Sequence, residues 1–310
     1  MAPELSTIMT LLITAILLAN PLAAAEGVRR AKPPEWSQDV LDTFFVDARQ
    51  QLVGERPQAT QSIAKFDPKP SASAEQQPIG EILVWSKLIA AETLTSEVKR
   101  IHLGLAALLK NAGTFKSGGN LQCRRDLSLL ATVFGVIAEY DADVRWKNSA
   151  RLMQSKCLQV AANCKAASDQ SFAAATQVRV VLEDLIRGQS LVGKTPSKEV
   201  RVADRTQLMQ RMELSLEERI SPALANLRDF RKRSKEIDYE SQMLAMLAQV
   251  IQREPYEYHD DDTFLEYARQ LREASRELSR TSRVENYKAA RAASGMASQS
   301  CSACHEGYRG

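Results

Sequence analysis

Apolar residues recur at intervals of three and four along most of the chain after residue 79, the period of an amphipathic helix. Four such stretches, 79–110, 121–142, 144–167 and 169–187, precede a second series at 198–219, 222–235, 239–253, 260–281 and 284–295. The last stretch runs on toward the C-terminus. The breaks carry turn chemistry: Gly118-Gly119-Asn120, Ser168 before Asp169 as an N-cap, and Pro222 behind Ser221 as a helix restart or kink. Residues 188–197, GQSLVGKTPS, gather Gly, Ser and Pro between the two series and read as a linker. The pattern predicts an all-α fold of two tandem antiparallel four-helix bundles, 79–187 and 198–310.

The N-terminal quarter differs. An apolar run, Leu11 to Leu18, is followed by Ala23-Ala24-Ala25, the layout of a secretory signal peptide over 1–25 cleaved before Glu26. Its n-region holds Glu4 and no Lys or Arg, which leaves a start at Met9 or an uncleaved anchor as alternatives. The run is shorter than the roughly 20 residues that span a bilayer. Export to the periplasm, with no membrane span after cleavage, is the expectation. Residues 26–78 are rich in Pro, Ser, Ala and Gln and read as an extended leader with one short helix at 39–52, where Val40, Leu41, Phe44, Phe45, Ala48 and Leu52 share a face.

The two helical series read as copies of one unit. Leu88-Ile89 and Leu94-Thr95 match Leu208-Met209 and Leu214-Ser215 at an offset of 120. Phe115 matches Phe230 at 115, Leu130-Ala131 and Val136-Ile137 match Leu244-Ala245 and Val250-Ile251 at 114, and Phe172 matches Tyr287. The near-constant offset is the signal, because single matches between amphipathic helices are weak.

Composition narrows function by exclusion. With 41 Lys plus Arg against 38 Asp plus Glu, spread evenly, the charge balance makes no case for a nucleic-acid partner. A hydrophobic content of 44% is that of globular material rather than disorder. No nucleophile and base constellation stands out, so an enzyme is not expected.

The chemistry lies at the C-terminus, in Cys301-Ser302-Ala303-Cys304-His305. Two thiols three positions apart can form thioethers with the two vinyl groups of one porphyrin, and the adjacent His offers a ring nitrogen to the iron as proximal ligand. A zinc site would need two further soft ligands, and the second series holds only His259 besides this motif. A redox CxxC would call for strand and crossover patterns that this helical chain lacks. One covalent haem c on Cys301, Cys304 and His305 is therefore expected.

The motif ends its domain and is followed by Glu306-Gly307-Tyr308-Arg309, an aromatic and a basic residue. In this the chain resembles the cytochrome c′ family, class II c-type cytochromes built as four-helix bundles with CxxCH on the last helix. The resemblance covers 198–310, with 79–187 as a degenerate copy lacking the motif. It implies that the first helix of the bundle covers the distal face of the haem. Family members often carry an Arg there and the distal residue four positions later, which selects Arg205 and Met209. In the family an apolar distal residue leaves a five-coordinate iron that meets NO or CO, whereas a Met supplies a sixth ligand and favours one-electron transfer. Met209 also fits a core stripe with Leu208, Met212 and Leu216, so packing is the competing reading, and Met212 is the fallback ligand. Periplasmic electron transfer with redox partner proteins is the favoured function. A five-coordinate protein binding NO or CO is the alternative, and a sensor or assembly subunit with a structural haem is a third reading.

Arg205, Arg283, Lys288, Arg291 and Arg309 are candidates to neutralise haem propionates or to steer an acidic partner, with solvated surface as the plain alternative. His102 and His259, the other histidines, read as structural, and Asp260-Asp261-Asp262 as a helix start rather than a calcium loop. Cys123, Cys157 and Cys164 meet an oxidising compartment after export. If 121–142 and 144–167 form a hairpin turning near Asp143, Cys123 faces Cys164. A Cys123–Cys164 disulfide is therefore expected, with Cys157 left as a buried thiol. The haem-less unit reads as a docking platform, a dimerisation surface that would give a homodimer, or a relic shielding the haem domain.

Overall fold

The computed structural model describes residues 84–191, 193 and 202–308. The signal peptide, the leader with its short helix, most of the linker and Arg309 lie outside the described residues. Gln77–Gly310 forms one compact unit. It is all-α, with no strand among the described residues.

Among the described residues eight helices longer than two turns build it: α1 (Ala91–Leu108), α2 (Asn120–Glu139), α3 (Lys147–Asn163), α4 (Asp169–Ile186), α5 (Arg205–Glu213), α6 (Leu227–Val250), α7 (Asp262–Arg283) and α8 (Tyr287–Tyr308). α1 packs on α2 and α4, α2 on α3, and α3 on α4, so the first four close a ring. α5 and its continuation pack on α6, α6 on α7, α7 on α8, and α8 returns to that continuation, closing a second ring. The rings meet where α2 touches α5 and α1 touches α6. α2 is buried without interruption from Leu127 to Ile137, and α6 from Glu240 to Ala248. Over these stretches both are central helices, buried all round, on which the other helices dock.

Most boundaries follow the chemistry of the breaks. Ser168 caps α4 by accepting from Ser171 N at 3.1 Å, with Ser171 Oγ returning the bond to complete a capping box. Gly118 takes φ +107° at the bend between Phe115 and α2, a conformation that L side chains rarely adopt. Asp261 accepts from the backbone N–H groups of Thr263 and Phe264, both at 2.9 Å, at the start of α7.

Two expectations need correction. The stretches 222–235 and 239–253 are one helix, α6, because Lys235 to Asp238 contains no breaker, and the only departure is non-helical φ/ψ at Arg233. Pro222 restarts only a short helical piece, Ser221–Ala223, and not the expected stretch 222–235. α5 runs through a π-helical stretch, Leu214–Ile220, into Ser221–Ala223, and the stop comes at Asn226, whose side chain caps α6 by accepting from Asp229 N at 2.9 Å.

The same contacts recur 115 positions apart. Phe115 packs on Phe172 with centroids at 5.6 Å, and Phe230 on Tyr287 at 5.4 Å. Asn111 caps the turn before Phe115 as Asn226 caps α6 before Phe230. Cys123 meets Cys164 across α2 and α3 with sulfurs 3.9 Å apart, and at the matching place Asp238 Oδ1 accepts from Ser279 Oγ at 2.5 Å.

Candidate haem-attachment site

α8 is an alanine-rich helix whose inner face, Ala290, Ala293, Ala297 and Ser300, is buried. These small side chains let it lie close against α7, and Ser300 Oγ donates to Tyr267 O at 2.7 Å. Three and four residues apart, Cys301, Cys304 and His305 lie along one stripe of the last turns. Both thiols are half-buried against the core, and the His305 ring is exposed. Burial pushes the Cys301 thiol up to about 11, with smaller contributions from Cys304 and Glu217. The Cys304 thiol is also raised by burial, against an opposing pull from the Arg205 charge. Arg205 and Glu217 thus bracket the part of the α5 segment that faces the motif.

The end of α8 is fixed to the start of α7. Tyr308 Oη donates to Asp261 Oδ1 at 2.7 Å, and its ring stands edge-on to Tyr258 at 5.0 Å and Phe264 at 5.5 Å. Tyr258 has φ +67°, a strained conformation for an aromatic residue. On its other partner, Arg205 Cζ lies 4.9 Å from the Tyr258 ring, and Arg205 Nη2 is 2.9 Å from Glu257 Oε2. The N-cap of α5 is Asp204, which accepts from Thr206 N at 3.0 Å and from Arg124 of α2 at 2.6 Å.

Arg205 Nη1 is buried and has no partner. A buried guanidinium N–H without an acceptor is costly, so this atom points to an anion that completes the site. One turn on, Met209 shares the Arg205 face of α5 and is half-buried, whereas Leu208, Met212 and Leu216 are fully in the core. Two half-buried thiols, an exposed imidazole, a half-buried thioether and one buried guanidinium nitrogen without a partner fit a haem: thioethers, an axial nitrogen, a distal contact and a propionate partner. Of the two methionines, Met209 is the half-buried one and Met212 is in the core.

The other basic candidates fall elsewhere. Arg283 ends α7, and Lys288 and Arg291 lie at the opposite end of α8, roughly 15 to 20 Å along the helix from Cys301 at 1.5 Å per residue. Arg283 pairs with Asp238 at 3.0 Å and Arg291 stacks over Tyr287. His259 Nδ1 lies 2.9 Å from Tyr256 O, and His102 Nε2 lies 4.0 Å from Glu183 on α4. Sequence reasoning did not find Tyr258 or Glu257. The Tyr-Glu-Tyr-His run before the Asp cluster was their one signal, and only the fold brings it to Arg205.

Cys157 is fully buried, and burial raises its thiol. Cys123 and Cys164 are buried and in contact, unbonded at 3.9 Å, and Asn120 Nδ2 donates to Cys164 O at 3.1 Å.

Among known proteins, residues 201–309 match the family model described as cytochrome C′, which spans the whole of α5 to α8. No curated protein and no solved structure is detectably similar to the chain.

Proposed function

Residues 201–309 form a domain of the cytochrome c′ family, and from that premise we propose that the chain is an exported c-type cytochrome carrying one covalent haem c for one-electron transfer. The observation that carries this reading is the CxxCH stripe of α8 set against the Arg205 face of α5, with the Arg205 Nη1 atom left for an anion. When bound, a haem supplies an iron that cycles between ferric and ferrous states.

The protein's own residues hold and tune it. Cys301 and Cys304 anchor it from one helix face, and His305 supplies the proximal nitrogen from the same stripe. Arg205, braced by Glu257 and Tyr258, meets a propionate. Met209 would supply the distal thioether, which favours ferrous iron and raises the potential. The buried inner face of α8 and the aromatic cluster at its end fix the helix that carries the motif.

The recurrence of contacts 115 positions apart supports reading the eight helices as two tandem four-helix bundles, the first a copy of the second. At that offset the places of Cys301, Cys304 and His305 are taken by Ile186, Gln189 and Ser190, which supports a single haem. Export to the periplasm and a redox protein as partner complete the proposal.

The test is the absorption spectrum of the holoprotein, oxidised and reduced, with and without CO. A low-spin ferrous spectrum unchanged by CO is expected. A high-spin spectrum shifted by CO would overturn Met209 ligation and make NO or CO binding the function.

A further inference from the structure

Charges are buried where the two helical series meet. Glu97 of α1, 0% exposed, accepts from Arg100 Nε and Nη2, both at 2.6 Å, and from the Tyr239 hydroxyl of α6. Arg211 of α5, 2% exposed, approaches Glu97 Oε1 with Nε at 3.4 Å and donates to Glu240 Oε2 of α6 with Nη1 at 2.8 Å. Glu240, also 0% exposed, accepts from Ser215 Oγ at 2.8 Å and from Arg219. Arg211 Nη2 is buried with no partner, so Arg211 depends on the two carboxylates it has.

Arg211 is two residues beyond Met209, which at 3.6 residues per turn puts it on the opposite side of α5 from the face shared by Arg205 and Met209. The back of the helix is therefore fixed by buried charge, while Arg205 on its front bears on Cys304 of the motif. Breaking a buried pair leaves an uncompensated charge, so α5 cannot turn about its axis without heavy cost.

We propose that Glu97 is a positioning residue for the haem site: from the first helical series it fixes Arg211, and with it the rotation of α5 that turns Arg205 and Met209 toward Cys301, Cys304 and His305. The inference rests on the haem reading above. It gives the haem-less series a definite task.

The experiment uses the full-length holoprotein and Glu97→Gln. The variant keeps covalent haem, its amide exchange over residues 205–213 quickens about 2- to 30-fold relative to α3, the range of such couplings, and its midpoint potential rises because a buried negative charge is lost. A variant that melts earlier but keeps wild-type potential and wild-type exchange over 205–213 would make Glu97 merely structural and overturn the proposal. If Glu97→Gln does not fold, the pair Glu97→Met with Arg211→Met replaces the ions by apolar groups, an exchange that buried pairs tolerate. Exchange over 205–213 must quicken there too, and unchanged exchange overturns the proposal. A wild-type protein without covalent haem would instead sink the haem reading itself.

Discussion

Single residues decide the chemistry, and their environments set its conditions. Burial drives the Glu97 carboxyl upward, but the Arg100 hydrogen bonds and the Arg211 charge outweigh it and hold the group at about 2, below its ordinary 4.5. A depressed carboxyl contributes stability that is complete above about pH 4.5 and is lost as pH falls toward 2. Urea titrations between pH 6 and pH 2.5 should therefore show stability falling through that window, with a shallower fall in Glu97→Gln than in wild type. An equal slope in both would contradict the assignment. At the distal position, Met209→Leu keeps the volume and removes the sulfur, so it should cost less than about 1.5 kcal/mol in stability. The same change should convert a low-spin iron to a high-spin, CO-binding one, read from the spectrum. The attachment residues were legible because CxxCH is local in sequence. Tyr258 and Glu257 were not, because their role depends on a loop folding back over Arg205 with Tyr258 at φ +67°.

At the scale of helices, the strongest signals were caps and periodicity. Ser168 reads as an N-cap and acts as one, and Asp260-Asp261-Asp262 reads as a helix start, within which Asp261 is the cap. Asn226 was overlooked in favour of Pro222, although Asn with Asp three residues later is the better start signal. Asn226→Ala should destabilise the protein by about 1 kcal/mol, measurable by thermal or urea unfolding, whereas Pro222→Ala should change little. α6 was divided because its polar residues, Asp238 and Glu240 among them, interrupt the apolar face. Glu240 is buried with Arg211 and Arg219 instead of facing solvent, a pairing no single helix reveals. The α2–α3 hairpin does bring Cys123 to Cys164, and in an oxidising compartment we expect the contact at 3.9 Å to close into a disulfide. A loop of that length would stabilise by about 4 kcal/mol on the chain-entropy estimate. Non-reducing peptide mapping should link Cys123 to Cys164 and leave Cys157 free, and three free thiols in exported protein would refute it.

For the molecule as a whole, the all-helical fold followed from periodicity because every described stretch is amphipathic or apolar at helical spacing. The sequence showed weak matches at offsets of 114 to 120, and contacts recur at an offset of 115. What stayed hidden was the junction, since the Glu97, Arg211 and Glu240 cluster joins residues far apart in sequence, none of which forms a motif. The family match over 201–309 and the geometry of α5 and α8 converge on one claim, a haem held by thioether bonds at the C-terminus. The most direct measurement is the intact mass of the exported protein after acid and organic extraction. Mass raised by one haem, with the added mass on the peptide containing Cys301 and Cys304, is the predicted result. A polypeptide at its bare mass, with the haem in the extract or absent, would contradict the account.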